Sequence, residues 1–316
     1  MNYVTKKTKL IAVVGPTASG KTAVAVRLAQ RLGGEIVSCD SMQIYRHMPI
    51  AAAVPTLDER QGIPHHLLEI VEPGEEFSVA KYCALAHEII ADITARGKTP
   101  ILCGGTGLYF SSVVDDLSFL EESFDTKLRR ELEERIEREG GEAMLRALRE
   151  VDPETAGRLS PTDRKRIVRA FEVYLTTGTP ISEQARLSRA GGSRYDLFAI
   201  GLTFAERWKL YHRINDRVDA MLDAGLVDEA RTSLASPGRT AAQAIGHKEL
   251  ADYINGLCSL EEAAEKLKMA TRRYAKRQLT WFRRDGRINW ICMDGLTADD
   301  AADMAIKMLT EGKNHD

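Results

Sequence analysis

The sequence has few cysteines, no long apolar run and almost no net charge, and each shortage excludes a class of protein. The cysteines are scattered along 316 residues without a CxxC pair, which argues against a disulfide framework or a zinc knuckle. The apolar run at residues 10–14 is far shorter than the ~20 residues of a membrane span. The first segment, MNYVTKKTK, lacks the apolar core of a signal peptide, so we expect a cytoplasmic protein with no membrane partner.

What remains is the composition of a globular chain with one unusual basic segment. Hydrophobic residues make up 44% and charged residues 28%, which suffices for a normal core, and the length suggests about two domains. The net charge of −2 does not by itself predict a polyanionic partner. Residues 271–287, TRRYAKRQLTWFRRDGR, nevertheless concentrate arginine and lysine around the single acid Asp285. Such a segment is a candidate for contact with an anion or a nucleic acid.

Strand and helix patterns alternate in the first part of the chain. LIAVVG predicts a short buried strand, and KTAVAVRLAQRLGG has helical apolar spacing that ends in glycines suited to a C-cap. GEIVSCDS predicts a second strand, and KTPILCGGTGLY predicts a third that runs into a glycine-rich turn. This alternation predicts a parallel sheet, in which ligands collect at the carboxyl ends of the strands.

The pattern changes after about residue 118. Residues 118–172 are charged, amphipathic and without strand signals, which predicts a helical insertion domain. The core would then comprise residues 1–117 and 173–316. DLFAIGLTF predicts a returning strand and INWICMD a late one, within a mostly helical C-terminal part.

GPTASGKT directly follows the first strand and matches the pattern G-x-x-x-x-G-K-[ST] of a phosphate loop. The glycines let backbone amides approach phosphate, Lys21 adds a positive charge, and the hydroxyl of Thr22 can bind Mg²⁺. The motif predicts a P-loop NTPase-like α/β fold and a site for a diphosphate or triphosphate, although an ordinary glycine-rich turn is the alternative. The predicted diphosphate-binding residues are Gly15, Pro16, Thr17, Ala18, Ser19, Gly20, Lys21 and Thr22.

Two further strand ends carry polar groups. A nucleotide hydrolase needs an acid after a buried strand, and PILCGG has none. Asp40, in SCDSMQIY, could hold a metal through water or act as a general base, or it could only cap the next turn. Thr106, in GGTGLY, offers a hydroxyl to an anion, or the stretch is only a structural turn.

Three basic segments allow either a structural or a functional interpretation. Arg213 and Arg217 lie on one helical face, which is either exposed and ion-paired or turned toward the leaving group in a cleft. The aromatic residues within 271–287 could stack on bases, or they could belong to the core. LSPTDRKRIVRA is a second basic helix start with the same ambiguity, while the pair His65 and His66 lacks metal spacing and is structural or lines a substrate.

Taken together, these motifs resemble one family. GPTASGKT, DSMQIY, PHHL, GGTGLY, RINDRV, QAIGHKE and TRRYAKRQLTWFRR occur in the order, and at about the spacing, of the tRNA dimethylallyltransferases of the bacterial type, also called tRNA isopentenyltransferases. The resemblance extends from about residue 10 to residue 290.

The resemblance implies that the phosphate loop binds dimethylallyl diphosphate with Mg²⁺. It implies that the acceptor is the exocyclic amine of the adenosine immediately 3′ of the anticodon, in the anticodon stem-loop of a tRNA. Asp40 would be the general base, while Thr106 and Arg217 would join Lys21 at the diphosphate. The implied tRNA contacts are Asp40, Ser41, Met42, Gln43, Lys165, Arg166, Ile167, Val168, Arg169, Gln243, Ala244, Ile245, Gly246, His247, Lys248, Lys276, Arg277, Gln278, Leu279, Thr280, Trp281, Phe282 and Arg283. We expect a monomer.

The sequence departs from the family pattern in two places. MPIAAAVPT stands where the family usually has a stretch like MDIGTAKPT, with Pro49, Ala51, Ala52 and Val54 as the replacements. His247 stands where tyrosine is common. Neither departure touches the proposed catalytic set.

Three other functions remain open at this level. A small-molecule kinase would share the phosphate loop but gives the basic and aromatic C-terminal segment no role. A transferase acting on free adenine nucleotides would not need two basic tracts. A noncatalytic RNA-binding protein would not need Lys21, Thr22, Asp40, Thr106 and Arg217 to be intact.

Overall fold

The computed structural model describes residues 7–117, 126–190, 192–235 and 244–311. The strands are β1 (Thr8–Val14), β2 (Gly34–Ser38), β3 (His65–His66), β4 (Thr99–Gly104), β5 (Tyr195–Thr203) and β6 (Ile288–Cys292). The helices are α1 (Lys21–Leu32), α2 (Leu57–Arg60), α3 (Val79–Ala95), α4 (Gly107–Val114), α5 (Thr126–Glu139), α6 (Gly141–Val151), α7 (Pro153–Arg158), α8 (Arg164–Thr177), α9 (Ile181–Ala190), α10 (Arg207–Asp223), α11 (Leu226–Ala235), α12 (His247–Ile254), α13 (Leu260–Phe282) and α14 (Ala298–Glu311).

The strands form one parallel sheet in the order β3-β2-β4-β1-β5-β6. The central strand β1 pairs with β4 and β5, and its residues from Leu10 to Val14 are buried, as expected for a strand covered on both faces. The predicted parallel sheet flanked by helices is therefore confirmed, together with the strands expected from the sequence. β3 was not predicted, because two residues are too short to produce a hydrophobic period.

The chain divides into two compact units, one of Met1–Val114 with Arg194–Asp316 and one of Asp115–Ser193. The second unit consists of α5 to α9 around a core that includes Leu132, Leu148 and Phe171. The sequence placed its end at residue 172, but α8 continues through that position to Thr177 and the unit extends to Ser193. Both α8 and α9 contain charged residues, so the charge pattern of the sequence does not mark where the second unit ends.

The amino end of β2 carries a closed ion cluster. Glu35 is 6% exposed, and Arg96 binds both of its carboxylate oxygens, with Nη2 at 2.8 Å from Oε2. His66 Nε2 lies 2.8 Å from the same Oε2. The hydrogen bonds from Arg96 are the main reason that the pKa of Glu35 falls to about 2, against the opposing effect of burial. Glu35 therefore stabilises the fold, and both of its carboxylate oxygens are hydrogen-bonded.

The carboxyl ends of β1, β2 and β4 carry the three polar turns predicted from the sequence. Because β2, β4 and β1 are neighbours in the sheet, their turns meet at one edge. Cys39 N–H donates to the Cys103 carbonyl at 2.7 Å, which joins the turns after β2 and β4. The sheet thus places the predicted site residues next to one another.

Candidate active site

The phosphate loop runs from β1 into α1. Gly15 has φ of 144°, and a Cβ there would lie 2.8 Å from the Leu202 carbonyl oxygen, so only glycine fits between the loop and β5. Lys21 is the first residue of α1, and its Nζ donates to the Pro16 carbonyl at 2.6 Å. The lysine therefore lies over the loop, with its charge where an anion would bind.

The electrostatic surroundings of Lys21 favour an anionic ligand. The pKa of Lys21 is lowered to about 8, mainly by burial and also by the nearby guanidinium of Arg217, while Cys103 and Asp40 oppose the shift. Burial also lowers the pKa of Arg217. Two cations that are partly removed from water, and repel each other, are stabilised by a bound anion such as diphosphate.

Asp40 and Thr106 lie on the two neighbouring turns. Asp40 Oδ1 accepts a hydrogen bond from Met42 N–H at 2.9 Å, so it caps its own turn, and its side chain also lines the cavity near Lys21. Thr106 Oγ1 accepts from Ser41 N–H at 2.9 Å, and Thr106 N–H donates to the Cys39 carbonyl at 3.1 Å. The two interpretations of Asp40, turn cap and cavity group, therefore both hold.

Arg213 and Arg217 both reach the phosphate loop from α10. Arg217 Nη1 lies 3.5 Å from Thr17 Oγ1, and Arg213 Nε donates to the Ala18 carbonyl at 2.9 Å. Arg217 also lines the cavity. The helical face that carries them is turned toward the loop, which favours the second of the two interpretations derived from the sequence.

Gln278 has a structural role that the resemblance does not imply. Its side chain is buried, with Oε1 accepting from Thr17 N–H at 2.8 Å and Nε2 donating to the Gly105 carbonyl at 2.9 Å. A Cβ at Gly105 would lie 2.1 Å from that Nε2. Gln278 therefore joins the phosphate loop to the turn after β4, and it also lines the cavity between them.

These elements enclose a cavity of about 360 Å³. Its polar lining includes Thr17, Lys21, Thr22, Asp40, Arg217 and Tyr274. Its apolar lining includes Ala51, Ala52, Val218, Met221, Ile245 and Leu267. His65 lines it too, with Nδ1 bonded to the Ile63 carbonyl at 2.8 Å, whereas His66 turns to Glu35. A cavity with both linings suits a ligand that has a charged end and an apolar end.

The implied tRNA contacts divide by exposure. Ser41, Met42, Gln43, Ile245, Gly246, Lys248 and Arg277 line the cavity, and Lys165, Arg166, Lys276, Thr280, Trp281 and Arg283 are exposed. Arg169 is half-buried and bonded to Glu172 at 2.9 Å, and Leu279 is half-buried. Gln243 lies outside the described residues.

Six members of that set lie in the interior of the protein. The buried side chains are Ile167, Val168, Ala244, His247, Gln278 and Phe282. Ile167 and Val168 belong to the core of the second unit, while Phe282 packs edge-on against Phe110 with ring centres 5.7 Å apart. A contiguous motif on a helix includes residues on its inner face, as Ile167, Val168 and Phe282 show, whereas Ala244 and Gln278 also line the cavity.

The roles of two residues that organise this site were not predicted. The bridging role of Gln278 depends on a partner far away in the chain, and Glu229 follows no motif at all. The signal for Gln278 was the second glycine of GGTG, which leaves room for its amide.

A metal at this site would depend on the substrate for most of its ligands. Within the described ranges, no group of three or more histidine, cysteine, aspartate or glutamate residues is placed to bind a metal. Thr22 lines the cavity and offers one hydroxyl oxygen. Mg²⁺ commonly binds through one or two protein oxygens, water and substrate phosphates, so this donor set fits a magnesium diphosphate.

Comparisons with known proteins match most of the chain. Residues 43–285 match the IPP transferase family, and residues 8–70 match the isopentenyl transferase family. A tRNA dimethylallyltransferase of Geobacillus thermodenitrificans is 49% identical over 291 residues, which cover 90% of each chain. One of Caldanaerobacter subterraneus subsp. tengcongensis is 47% identical over 290 residues, 90% of this chain and 92% of the relative.

Solved structures give the same likeness. The tRNA isopentenylpyrophosphate transferase of Bacillus halodurans superposes with a TM-score of 0.71 at 43% identity, covering 97% of each chain. A eukaryotic dimethylallyltransferase acting on tRNA superposes with a TM-score of 0.81 at 28% identity, covering 96% of this chain and 80% of that one. No helix in the described part of the chain is both long and apolar enough to span a membrane.

Proposed function

The chain belongs to the IPP transferase family, and on that premise we propose that it transfers a dimethylallyl group from dimethylallyl diphosphate to a tRNA. The observation that carries the proposal is the single cavity lined by Lys21, Arg217 and Asp40. Two cations suit a departing diphosphate, and one carboxylate suits the proton of the incoming amine.

The donor end of the reaction is the phosphate loop. When the allylic carbon leaves diphosphate, negative charge grows on the departing oxygen, so groups that bind this charge lower the barrier. Lys21 and Arg217 supply the charge. The proposal adds Thr106 on the next turn, whose hydroxyl is bonded to Ser41 and would have to turn toward the diphosphate. Both cations are partly removed from water, which strengthens their interaction with the charge on the leaving group.

The acceptor end centres on Asp40. The exocyclic amine of adenosine is a weak nucleophile, so its alignment and the removal of its proton both matter. In the proposed step a nitrogen–carbon bond forms, the carbon–oxygen bond to diphosphate breaks, and Asp40 takes the amine proton. Its hydrogen bond from Met42 N–H holds the carboxylate in a fixed orientation.

We place the acceptor adenosine immediately 3′ of the anticodon. A base in an RNA loop must leave its stack to enter a cavity of this kind. The exposed residues Lys276, Trp281 and Arg283 of the α13 segment offer charge and one aromatic surface for the flanking nucleotides, and Arg277 reaches the cavity itself. Lys165 and Arg166 offer exposed charge on the second unit.

Mg²⁺ is part of the proposal as a companion of the diphosphate, with Thr22 as the protein ligand. It would supply additional positive charge to the leaving oxygens. We further propose a monomer, because a single chain supplies every residue of the proposed donor site, and a cytoplasmic location, since tRNA is the acceptor.

The direct test is the transfer of radiolabelled dimethylallyl groups to unmodified bulk tRNA, with AMP and ATP as competing acceptors. We expect label in tRNA, and its loss when Asp40 is changed to alanine. Label in AMP or ATP but not in tRNA would move the protein to the free-nucleotide class. No transfer to any acceptor would contradict the proposal.

A further inference from the structure

A buried carboxylate on α11 forms hydrogen bonds to two other segments of the chain, and both of these segments contribute to the cavity wall. The Glu229 side chain, on α11, is 8% exposed. Its Oε2 accepts from Ile50 N–H at 2.8 Å, and its Oε1 accepts from Ala51 N–H at 2.9 Å. His247 Nε2 lies 2.9 Å from the same Oε1 and donates to it, because a carboxylate can only accept. Three hydrogen bonds from two distant segments therefore end on one side chain.

Both of these segments face the substrate cavity. Residues 51–53 line it from the first segment, and Ala244, Ile245, Gly246 and Lys248 line it from the second. A side chain added at Gly246 would contact the Ala51 Cβ at 3.4 Å, so the two segments also pack directly against each other. Ala51 and His247 are positions where the sequence departs from the family pattern, and both contact Glu229.

The first segment depends on this support. Residues 48–54 form a turn whose own bonds are local, from Ala52 N–H to the Met48 carbonyl at 3.0 Å and from Val54 N–H to the Pro49 carbonyl at 2.9 Å. Gln43 Nε2 donates to the Ala53 carbonyl at 2.9 Å from one side. Without Glu229, the amides of residues 50 and 51 would be left unpaired in a partly buried place, which is unfavourable.

We propose that Glu229, assisted by His247, is a positioning residue that holds the apolar wall of residues 51–53 against the dimethylallyl group of the donor. The inference rests on the proposed function. An apolar wall suits the apolar end of the donor, as the cations suit its charged end. A wall that moves loosens the donor in both the ground state and the transition state, so its loss raises KM more than it lowers kcat.

The test compares two equally buried carboxylates. Glu35 is matched to Glu229, since its side chain is also 8% exposed and also bonds a histidine nitrogen, but its partners lie at the amino end of β2. We expect Glu229→Gln to raise the KM for dimethylallyl diphosphate about five- to twentyfold with kcat changed by less than about threefold. Glu35→Gln should lower the melting temperature at least as much and leave that KM within about twofold.

A second readout does not require catalysis. The amides of residues 50 and 51 should exchange with solvent at least about tenfold faster in Glu229→Gln than in the wild type or in Glu35→Gln. His247→Phe keeps both amide bonds, so we expect a smaller rise in KM, about two- to fivefold. This variant carries the test if Glu229→Gln does not fold.

Three results would overturn the inference: an unchanged donor KM in both cavity variants, a rise confined to the KM for tRNA, or unchanged exchange at residues 50 and 51. If the wild type does not modify tRNA at all, the proposed function fails while the exchange measurement still decides whether Glu229 holds this wall. The two failures are therefore distinguishable.

Discussion

The two ends of β2 carry acids with opposite surroundings. Glu35, at the amino end, is enclosed by Arg96 and His66, which occupy its carboxylate. Asp40, just past the carboxyl end, accepts a hydrogen bond from the backbone of its own turn and lines a cavity beside Lys21 and Arg217. In the first cluster the charged groups pair with one another. In the second, Lys21 and Arg217 are placed where they can bind an anionic ligand.

We infer that the amino end of β2 contributes to stability and that its carboxyl end contributes to activity. A charged group that is paired and hydrogen-bonded stabilises the fold, and its removal leaves its buried partner without a hydrogen bond. Cations that repel each other and are partly desolvated reduce stability until an anion binds. We therefore expect changes at the two ends to affect different measurements, and the following predictions test that separation from the largest effect to the smallest.

The largest effect is expected at Asp40. Asp40→Asn keeps the hydrogen bond from Met42 N–H but cannot take a proton, so the single-turnover rate with saturating tRNA should fall about 10²- to 10⁴-fold. The melting temperature should stay within about 2 °C of the wild type, because the turn keeps its cap. A variant that retains more than about a tenth of the rate would remove Asp40 from the role of general base.

The next largest effect is expected at Lys21. Lys21→Met removes a charge-assisted contact worth about 1.5–3 kcal/mol, so kcat/KM for dimethylallyl diphosphate should fall about 10- to 100-fold. The same change removes a desolvated cation, and differential scanning calorimetry should give a melting temperature equal to or above that of the wild type. A marked fall in melting temperature would show that this end is structural as well.

Glu35 should show the reverse pattern. Glu35→Gln should lower the free energy of unfolding by about 1–3 kcal/mol and leave kcat/KM for the donor unchanged. The folded pKa of Glu35 is about 2 and lies below its ordinary value of 4.5, so its contribution is complete above pH 4.5 and is lost as the pH falls toward 2.

The check is urea unfolding of both proteins between pH 6 and pH 3. The stability difference between wild type and Glu35→Gln should shrink as the solution becomes more acidic. A difference that stays constant with pH would mean that the carboxylate is not the group that stabilises this end.

The smallest effect is the pH dependence of donor binding. The pKa of Lys21 is about 8 in the free protein, and a bound diphosphate raises it, so binding takes up a proton above that pH. The KM for dimethylallyl diphosphate should therefore rise severalfold between pH 8 and pH 9. In Lys21→Arg the guanidinium remains charged, and this inflection should be absent. An identical pH profile in both proteins would assign the titration to another group.

Much of this site could be predicted from the sequence because its parts are local. The phosphate loop, Asp40 and Thr106 each sit at the end of a strand with a clear hydrophobic period, and parallel strands bring such ends together. Arg217 could be named from a helical spacing and a family resemblance, although its direction toward the loop required the structure.

The rest depends on partners that the local sequence does not contain. Gln278 looked like a surface residue because it lies in a basic segment, yet it bridges two turns of the core. Glu229 belongs to no motif, and its role is set by backbone amides in a distant segment. Ile167, Val168 and Phe282 are buried on the inner sides of α8 and α13, because exposure follows packing and not motif boundaries.

The most direct test of the account is one transfer experiment on three proteins. Wild type, Asp40→Asn and Glu35→Gln would be incubated with radiolabelled dimethylallyl diphosphate and unmodified tRNA, at a temperature where all three are folded. The account predicts equal labelling of tRNA by wild type and Glu35→Gln and almost none by Asp40→Asn. Labelling by Asp40→Asn at the wild-type rate, or its loss in Glu35→Gln, would contradict the division between an active and a structural end of β2.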